Sequence, residues 1–206
     1  MQSYVIEELL KHIDIQRLQP LVVDVGASDG FYTSNSYDLI ASYGWHGVLI
    51  DPQADKLEIA KQYHCDRLDR VSFHAVALCN YKGRVILYGH HNDGNGVTTL
   101  NHGASLIEIP NSPAWCPVDA IDYDTFLSKV DLSKVGVLSI DTEGYDFNII
   151  WGLFQSTIKR PQVIITETEY YLLKEDRRHK EALLAKEYEC VYTGVDQIHI
   201  HKACLV

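Results

Sequence analysis

Apolar residues fall along this chain in short blocks, and the period inside each block predicts an element. Over residues 3–15, Val5, Ile6, Leu9, Leu10 and Ile13 recur at the spacing of one helix face. Leu21 to Val25 is too continuously apolar for a half-exposed strand and reads as a central strand of a parallel sheet. A helix is expected over 31–43, stopped by Gly44, then a buried strand over 47–50 and a helix over 54–63. Residues 71–78 read as a third strand, which 84–88 extend. Further along come a helix near 123–129, a strand at 135–140, a helix over 147–154, a strand at 162–166 and a charged helix over 174–186. Residues 189–192 and 197–201 alternate with period 2, and the turn "TGVD" between them predicts a hairpin.

This order predicts an α/β fold: a Rossmann-like, doubly wound, mostly parallel seven-stranded sheet with helices on both faces and a C-terminal antiparallel hairpin. At 206 residues, one domain over 1–206 is expected, with residues 1–17 as an N-terminal helical segment. Residues 89–117 differ. They are rich in Gly, Asn, His and Pro without sustained periodicity, and loops of that length are usually functional. They are expected to cover the site as an acceptor-site loop.

The first strand runs into "DVGASDG", an acid followed by small residues and two glycines. In an open parallel sheet, ligands bind beyond the carboxyl ends of the strands. Glycines let the backbone come close to a ligand, and the next helix aims its free N–H groups at the same place. Residues 24–30 therefore read as a cradle for a small polar ligand, with plain turn glycines at 26 and 30 as the alternative. The second strand ends in Asp51, where such folds place an acid on a ribose diol. A helix cap or a turn before Pro52 is the other reading of Asp51. The run lacks the second glycine of G-x-G-x-x-G, and Asp24 and Asp29 would repel a pyrophosphate. They suit a ligand with an ammonium group, a sulfonium and no phosphate, the charge pattern of S-adenosylmethionine.

Composition narrows the partners. A net charge of −10 opposes broad phosphate-backbone binding, so no nucleic-acid partner is expected. The run Arg177, Arg178, His179, Lys180 reads as a solvated helix face. Cys65, Cys79, Cys116, Cys190 and Cys204 are odd in number and lack zinc spacing, which fits the reduced thiols of a cytoplasmic protein. The first apolar stretch, interrupted by Glu7, Glu8, Lys11 and His12, is not expected to be a signal peptide, and no apolar run approaches the roughly 20 residues of a membrane span.

Six segments resemble one family in order. "VVDVGASDGFYT" is similar to its glycine motif, "VLIDPQ" to its ribose-acid strand and "FHAVALCNYKGRVILY" to its third strand and the segment after that strand. "PVDAIDYDTFL" is similar to a pre-strand segment, "LSIDTEGYDFNIIWGL" to a Lys-Ile-Asp-Val-Glu-Gly-type signature and "PQVIITETE" to the next strand. Over most of Leu21 to Glu169 the chain thus resembles the FkbM family of class I S-adenosylmethionine-dependent methyltransferases. It departs in having Ser139 where Lys is common, Asp29 inside the glycine loop and Asp51 where Glu is frequent. The resemblance implies an O-methyltransferase acting on a hydroxyl of a sugar or glycan, with S-adenosyl-L-methionine as cofactor. It implies that Asp24, Gly26 and Ala27 meet the methionine moiety, with Ser28, Asp29, Gly30 and Tyr32 close by. Asp51 would hold the ribose, Pro52 and Gln53 would flank ribose and adenine, and Ala77 would lie near adenine or simply pack in a strand. The chain is compact for that family, which raises the expectation of a longer parent enzyme, fused to or working with a glycosyltransferase.

Methyl transfer to oxygen needs in-line alignment and removal of the hydroxyl proton. Asp141 and Glu143 lie two apart at a strand end. If both stay extended they share a face, one as base and the other orienting the acceptor, and closeness raises one pKa. The alternative has Asp141 ordering the loop or touching the cofactor amine while Glu143 caps the next helix. His91, beside His90 in the long loop, is the histidine base candidate. Glu167 and Glu169 are candidates to line the acceptor pocket. Mg2+ on Asp141, Glu143 and Glu167 is a less favoured reading, and no metal site is assigned. Trp115 and Tyr171 are read as core or as stacking on a sugar face. His199 and His201 are expected to share a solvent-facing side of the hairpin. An NAD-type oxidoreductase, an O-methyltransferase of a non-sugar small molecule and a non-catalytic nucleotide-binding module are the competing readings.

Overall fold

The computed structural model describes residues 4–32, 34–89, 104–108, 115–168 and 174–205, with the backbone alone at 115 and 174–177. The strands are β1 (Leu21–Val25), β2 (His46–Ile50), β3 (Val71–His74), β4 (Ala77–Cys79), β5 (Gly83–Tyr88), β6 (Trp115–Asp122), β7 (Val137–Ile140), β8 (Val163–Glu167), β9 (Tyr188–Thr193) and β10 (Asp196–His201). The α-helices are α1 (Tyr4–Leu9), α2 (Tyr37–Ala41), α3 (Ala54–Tyr63), α4 (Tyr123–Leu127), α5 (Asp146–Ser156) and α6 (Lys174–Leu184).

Seven strands form the main sheet in the order β3-β2-β1-β7-β8-β10-β9. All its neighbours pair parallel except β10, which runs antiparallel to β8 and β9. The expected Rossmann-like sheet with a terminal antiparallel pair is therefore the architecture. Successive side chains of β1 point to opposite faces, and both faces are covered, which is why the strand reads as continuously apolar. Val22 enters a layer with Ile6 and Leu9 of α1, Leu39 and Ile40 of α2, and Leu57 of α3. Val23 and Val25 enter the opposite layer with Phe126 of α4, Ile149, Ile150 and Leu153 of α5, and Leu184 of α6. Each such fully buried aliphatic side chain contributes about 1.5–3 kcal/mol.

Several expectations are corrected. The helix expected over 31–43 is only Tyr37–Ala41. The preceding residues turn through positive φ at Gly26, Ser28 and Gly30, and Ser34 Oγ accepts the N–H groups of Ser36 and Tyr37. The strand expected over 71–78 breaks after His74, where Val76 N–H turns back to His74 O at 2.9 Å. Its second half, β4, leaves the main sheet for a three-stranded sheet ordered β4-β6-β5, so β5 does not extend β3. The sequence reads residues 89–117 as loop, yet β6 begins at Trp115 and pairs antiparallel with β5. Residues 90–103 and 109–114 lie outside the described residues.

Two polar residues are misread by their surroundings in sequence. Lys180 is fully buried on α6, although Arg178 and His179 beside it are exposed. His199 is also buried, because β10 is inserted between β8 and β9 rather than placed at an edge. Burial pushes its imidazole down to about 4.

Candidate active site

The carboxyl ends of β1, β2 and β7 meet at one place. The N–H groups of Gly26 and Ala27 both reach Ile50 O, at 2.8 and 3.1 Å, which ties the turn after β1 to β2. Gly26 has φ +85°, and a Cβ there would lie 1.7 Å from Asp141 O on the β7 side. Only glycine fits such an approach. Ser28 adopts φ +48° and donates its N–H to Asp51 Oδ2 at 2.9 Å. Asp51 Oδ1 accepts the N–H of Gln53 at 2.7 Å. Asp51 thus makes the turn before α3, and each carboxylate oxygen keeps a second acceptor direction. Burial pushes its carboxyl up to about 6, against those two main-chain hydrogen bonds.

Asp24 is buried on β1 beside Ser139 of β7. Its Oδ2 accepts from Ser36 Oγ at 2.5 Å and from Ser34 Oγ at 3.4 Å. Burial raises its carboxyl, while the hydroxyls of Ser36, Ser139 and Ser34 pull it down. Asn35 Nδ2 donates to Ser139 Oγ at 3.5 Å. Three serines therefore surround one carboxylate, and Asn35 holds one of them.

Asp141 and Glu143 do not stay extended as expected. β7 ends at Ile140, Asp141 N–H bonds Val25 O at 2.9 Å, and Glu143 takes φ +52°. The turn still brings both side chains to the same hollow. Its shape is held by Asp146 at the start of α5, whose Oδ1 accepts Thr142 N–H at 2.9 Å and Thr142 Oγ1 at 2.6 Å. Burial, then the charges of Asp146, Glu167, Glu143 and Asp196, push Asp141 well above the ordinary carboxylate range. Burial, then Asp146, raises Glu143.

Two hollows adjoin here. One, of about 520 Å³, is lined largely by apolar side chains, among them Ile50, Val76, Ala77, Leu78, Leu87 and Leu106, with Asp51, Pro52 and Gln53 along it. The other, of about 440 Å³, is lined by Asp24, Ala27, Tyr32, Ser34, Asn35 and Ser139. Gly26, Ser28, Asp141 and Glu143 line both. Asp29 and Gly30 line neither. Asp29 Oδ1 instead accepts the N–H groups of Phe31 and Tyr32, and Gly30 packs against Ala60 and Leu49. His90, His91, Glu169 and Tyr171 lie outside the described residues, as does the side chain of Trp115. Among the described residues, no three His, Cys, Asp or Glu side chains gather as a metal-holding group.

The profile of the family described as the methyltransferase FkbM domain matches residues 24–192, the stretch that carries the ends of β1, β2 and β7. The chain belongs to the FkbM methyltransferase family. Among solved structures, an FkbM methyltransferase from Methylobacillus flagellatus KT is similar, with a TM-score of 0.53 and 14% identity over 87% of this chain and 43% of that one. Monomeric WbdD gives a TM-score of 0.54 and 13% identity over 97% of this chain and 40% of that one. A methyltransferase from Geobacter sulfurreducens gives 0.51 and 17% identity, over 98% and 78% of the two chains. This chain spans less than half the length of the first two. A comparison of the sequence with curated proteins found no match.

Membership of the FkbM family implies S-adenosylmethionine as methyl donor. It also makes sense of residues that carry no local motif or stand out in the sequence only as departures. Ser139 stands where the family often has lysine; it sits opposite Asp24 in the β1–β7 pair, and its hydroxyl helps draw that carboxyl down. The apolar wall of Leu78, Leu87 and Leu106 comes from the second sheet and the segment bridged to Tyr88 through Ser105. A strand pairing between residues so far apart leaves no local periodic signal.

Proposed function

We propose that this FkbM domain is an S-adenosylmethionine-dependent O-methyltransferase acting on a hydroxyl of a sugar or glycan, within a single methyltransferase domain. The supporting observation is that an apolar hollow with a strand-end acid and a polar hollow meet at Gly26, Ser28, Asp141 and Glu143. That division fits a ligand with a flat base, a diol and an amino-acid tail. When bound, the cofactor supplies a methyl group on a cationic sulfur.

The chain's own residues supply binding, orientation and proton removal. Ile50, Ala77, Leu78 and Leu87 offer apolar contact for the base. Asp51 uses its remaining acceptor directions for the ribose hydroxyls. Asp24, with the hydroxyls around it, takes the amino-acid tail. Asp141 and Glu143 lie where the two halves join, so one takes the acceptor's proton and the other orients the hydroxyl. Burial raises both carboxyls, which makes either a stronger base once ionised. The five free cysteines support a reducing, cytoplasmic setting.

The test is release of S-adenosylhomocysteine across a panel of free glycosides, nucleotide sugars, non-sugar hydroxyl compounds and RNA, with and without EDTA. The expected result is release with a saccharide. Release only with a non-sugar compound or RNA rejects the acceptor class. Failure of the protein to bind S-adenosylhomocysteine in calorimetry rejects the cofactor reading.

A further inference from the structure

Lys180 is a fully buried cation, and α6 delivers it to the acidic edge of the sheet. Its Nζ donates to Glu167 O at 2.9 Å, at the carboxyl end of β8. The opposite polar group of the same residue, Glu167 N–H, donates to Asp146 Oδ2 at 3.3 Å. Asp146, itself fully buried, uses its other oxygen for the N–H and hydroxyl of Thr142. One acid and one base thus hold both main-chain groups of Glu167 and the residue between Asp141 and Glu143. Burial pushes the Asp146 carboxyl up, and the nearby Lys180 charge is the largest influence drawing it down. Three hydrogen bonds donated to that carboxylate match its ionised form.

We propose that Lys180 and Asp146 are positioning residues for the methyl transfer: through Thr142 and Glu167 they lock the ends of β7 and β8, so that Asp141 and Glu143 face the junction of the two hollows. The proposal rests on S-adenosylmethionine being the cofactor. Neither residue lines either hollow, so neither is expected to touch ligand. Replacing Lys180 alone leaves a buried carboxylate without its counter-charge, which is a severe defect. Replacing both residues removes that penalty at position 146 but not the geometric loss, and leaves Asp196 without the Lys180 charge that draws its carboxyl down. A side-chain amide at 146 offers one acceptor oxygen, which cannot hold Thr142 and the Glu167 N–H together.

The test compares two probes, S-adenosylhomocysteine and sinefungin, an analogue bearing an ammonium group where the transferable methyl would be. Affinities are measured by calorimetry for wild type, Lys180→Met and the double variant Asp146→Asn with Lys180→Met, with folding checked by circular dichroism. Wild type should prefer sinefungin, because its ammonium faces Asp141 and Glu143 and favours their ionised forms. Both variants should lose about tenfold in that preference while their S-adenosylhomocysteine affinity stays within about threefold. If Lys180→Met fails to fold, the double variant carries the test. Variants that keep the wild-type preference overturn the positioning role, as does a wild type that binds the two probes equally. A wild type that binds neither overturns the cofactor reading instead.

Discussion

Asp51 Oδ2 takes the N–H of Ser28 at 2.9 Å, so the acid at the end of β2 holds the turn after β1. Two successive strand ends are joined through one carboxylate. Asp51→Asn would set an amide nitrogen against one of the two N–H groups that the carboxylate now accepts. The expected outcome is a loss of about tenfold or more in S-adenosylhomocysteine affinity, as for a hydrogen-bonded charge. Calorimetry checks it, and unchanged affinity removes Asp51 from the ribose.

The same carboxyl predicts a pH response. Burial raises it from 3.8 to about 6 in the folded chain, so between those values the folded state holds more proton than the unfolded one. Its contribution to stability is therefore complete below about 4 and is lost as pH rises to about 6, by on the order of 3 kcal/mol. Ligand affinity should move the opposite way, rising through pH 6 as the carboxylate ionises. Followed from pH 4 to 7, affinity should flatten in Asp51→Asn, and the melting temperature of the variant should rise relative to that of wild type between about pH 4 and 6 as the Asp51 penalty drops out.

His199 gives a slope of opposite sign over an overlapping window. Its folded pKa is lowered to about 4, chiefly by burial, so below its ordinary 6.5 the unfolded chain binds the proton more readily. Stability is present above that value and falls by on the order of 3 kcal/mol as pH drops towards 4. Relative to wild type, His199→Gln should therefore gain stability as pH falls from about 6.5 towards 4, whatever its stability at pH 7. A difference in melting temperature between the two proteins that stays constant across that window would place the sensitivity elsewhere.

Gly26→Ala tests the close approach of β1 and β7. The new methyl would meet Asp141 O at 1.7 Å in a backbone with φ +85°. The left-handed conformation alone costs about 1–2 kcal/mol, and the clash adds to it. A fall of at least roughly 5 °C in melting temperature is expected, with loss of S-adenosylhomocysteine binding. A variant with native melting and native binding contradicts the geometry described for this turn.

What the sequence shows depends on how local the cause is. The glycine turn, Asp51 and Asp141 are legible because each acid closes an apolar strand and each strand is contiguous. The second sheet is not, because β4 is three residues long and β6 begins inside an expected loop and carries Pro117. Lys180 is hidden among Arg177, Arg178 and His179, and only the packing of α6 on the sheet selects it for burial. His199 misleads in the same way, since alternation on a hairpin looks identical whether the strand is an edge or an insertion. Asp141 and Glu143 border the same hollows not through pleating but through the left-handed turn at Glu143 that Asp146 supports.

That turn sets the last prediction. Asp141 and Glu143 both border the junction of the hollows, so replacing either should slow transfer more than it weakens cofactor binding. Asp141→Asn keeps size and hydrogen-bonding reach but removes the base, and Glu143→Gln does the same. The residue that takes the proton should lose about 10²–10⁴-fold in turnover, and the one that orients the hydroxyl less. The raised carboxyls add a second signature. Activity of wild type should climb with pH as the base ionises, from a midpoint above the ordinary carboxylate range, and the variant lacking the base should lose that limb. Rates measured with whichever acceptor the panel selects, from pH 5 to 9, separate the two roles. If both variants turn over at the wild-type rate with the wild-type pH profile, the proton is removed elsewhere, and His91 becomes the residue to replace.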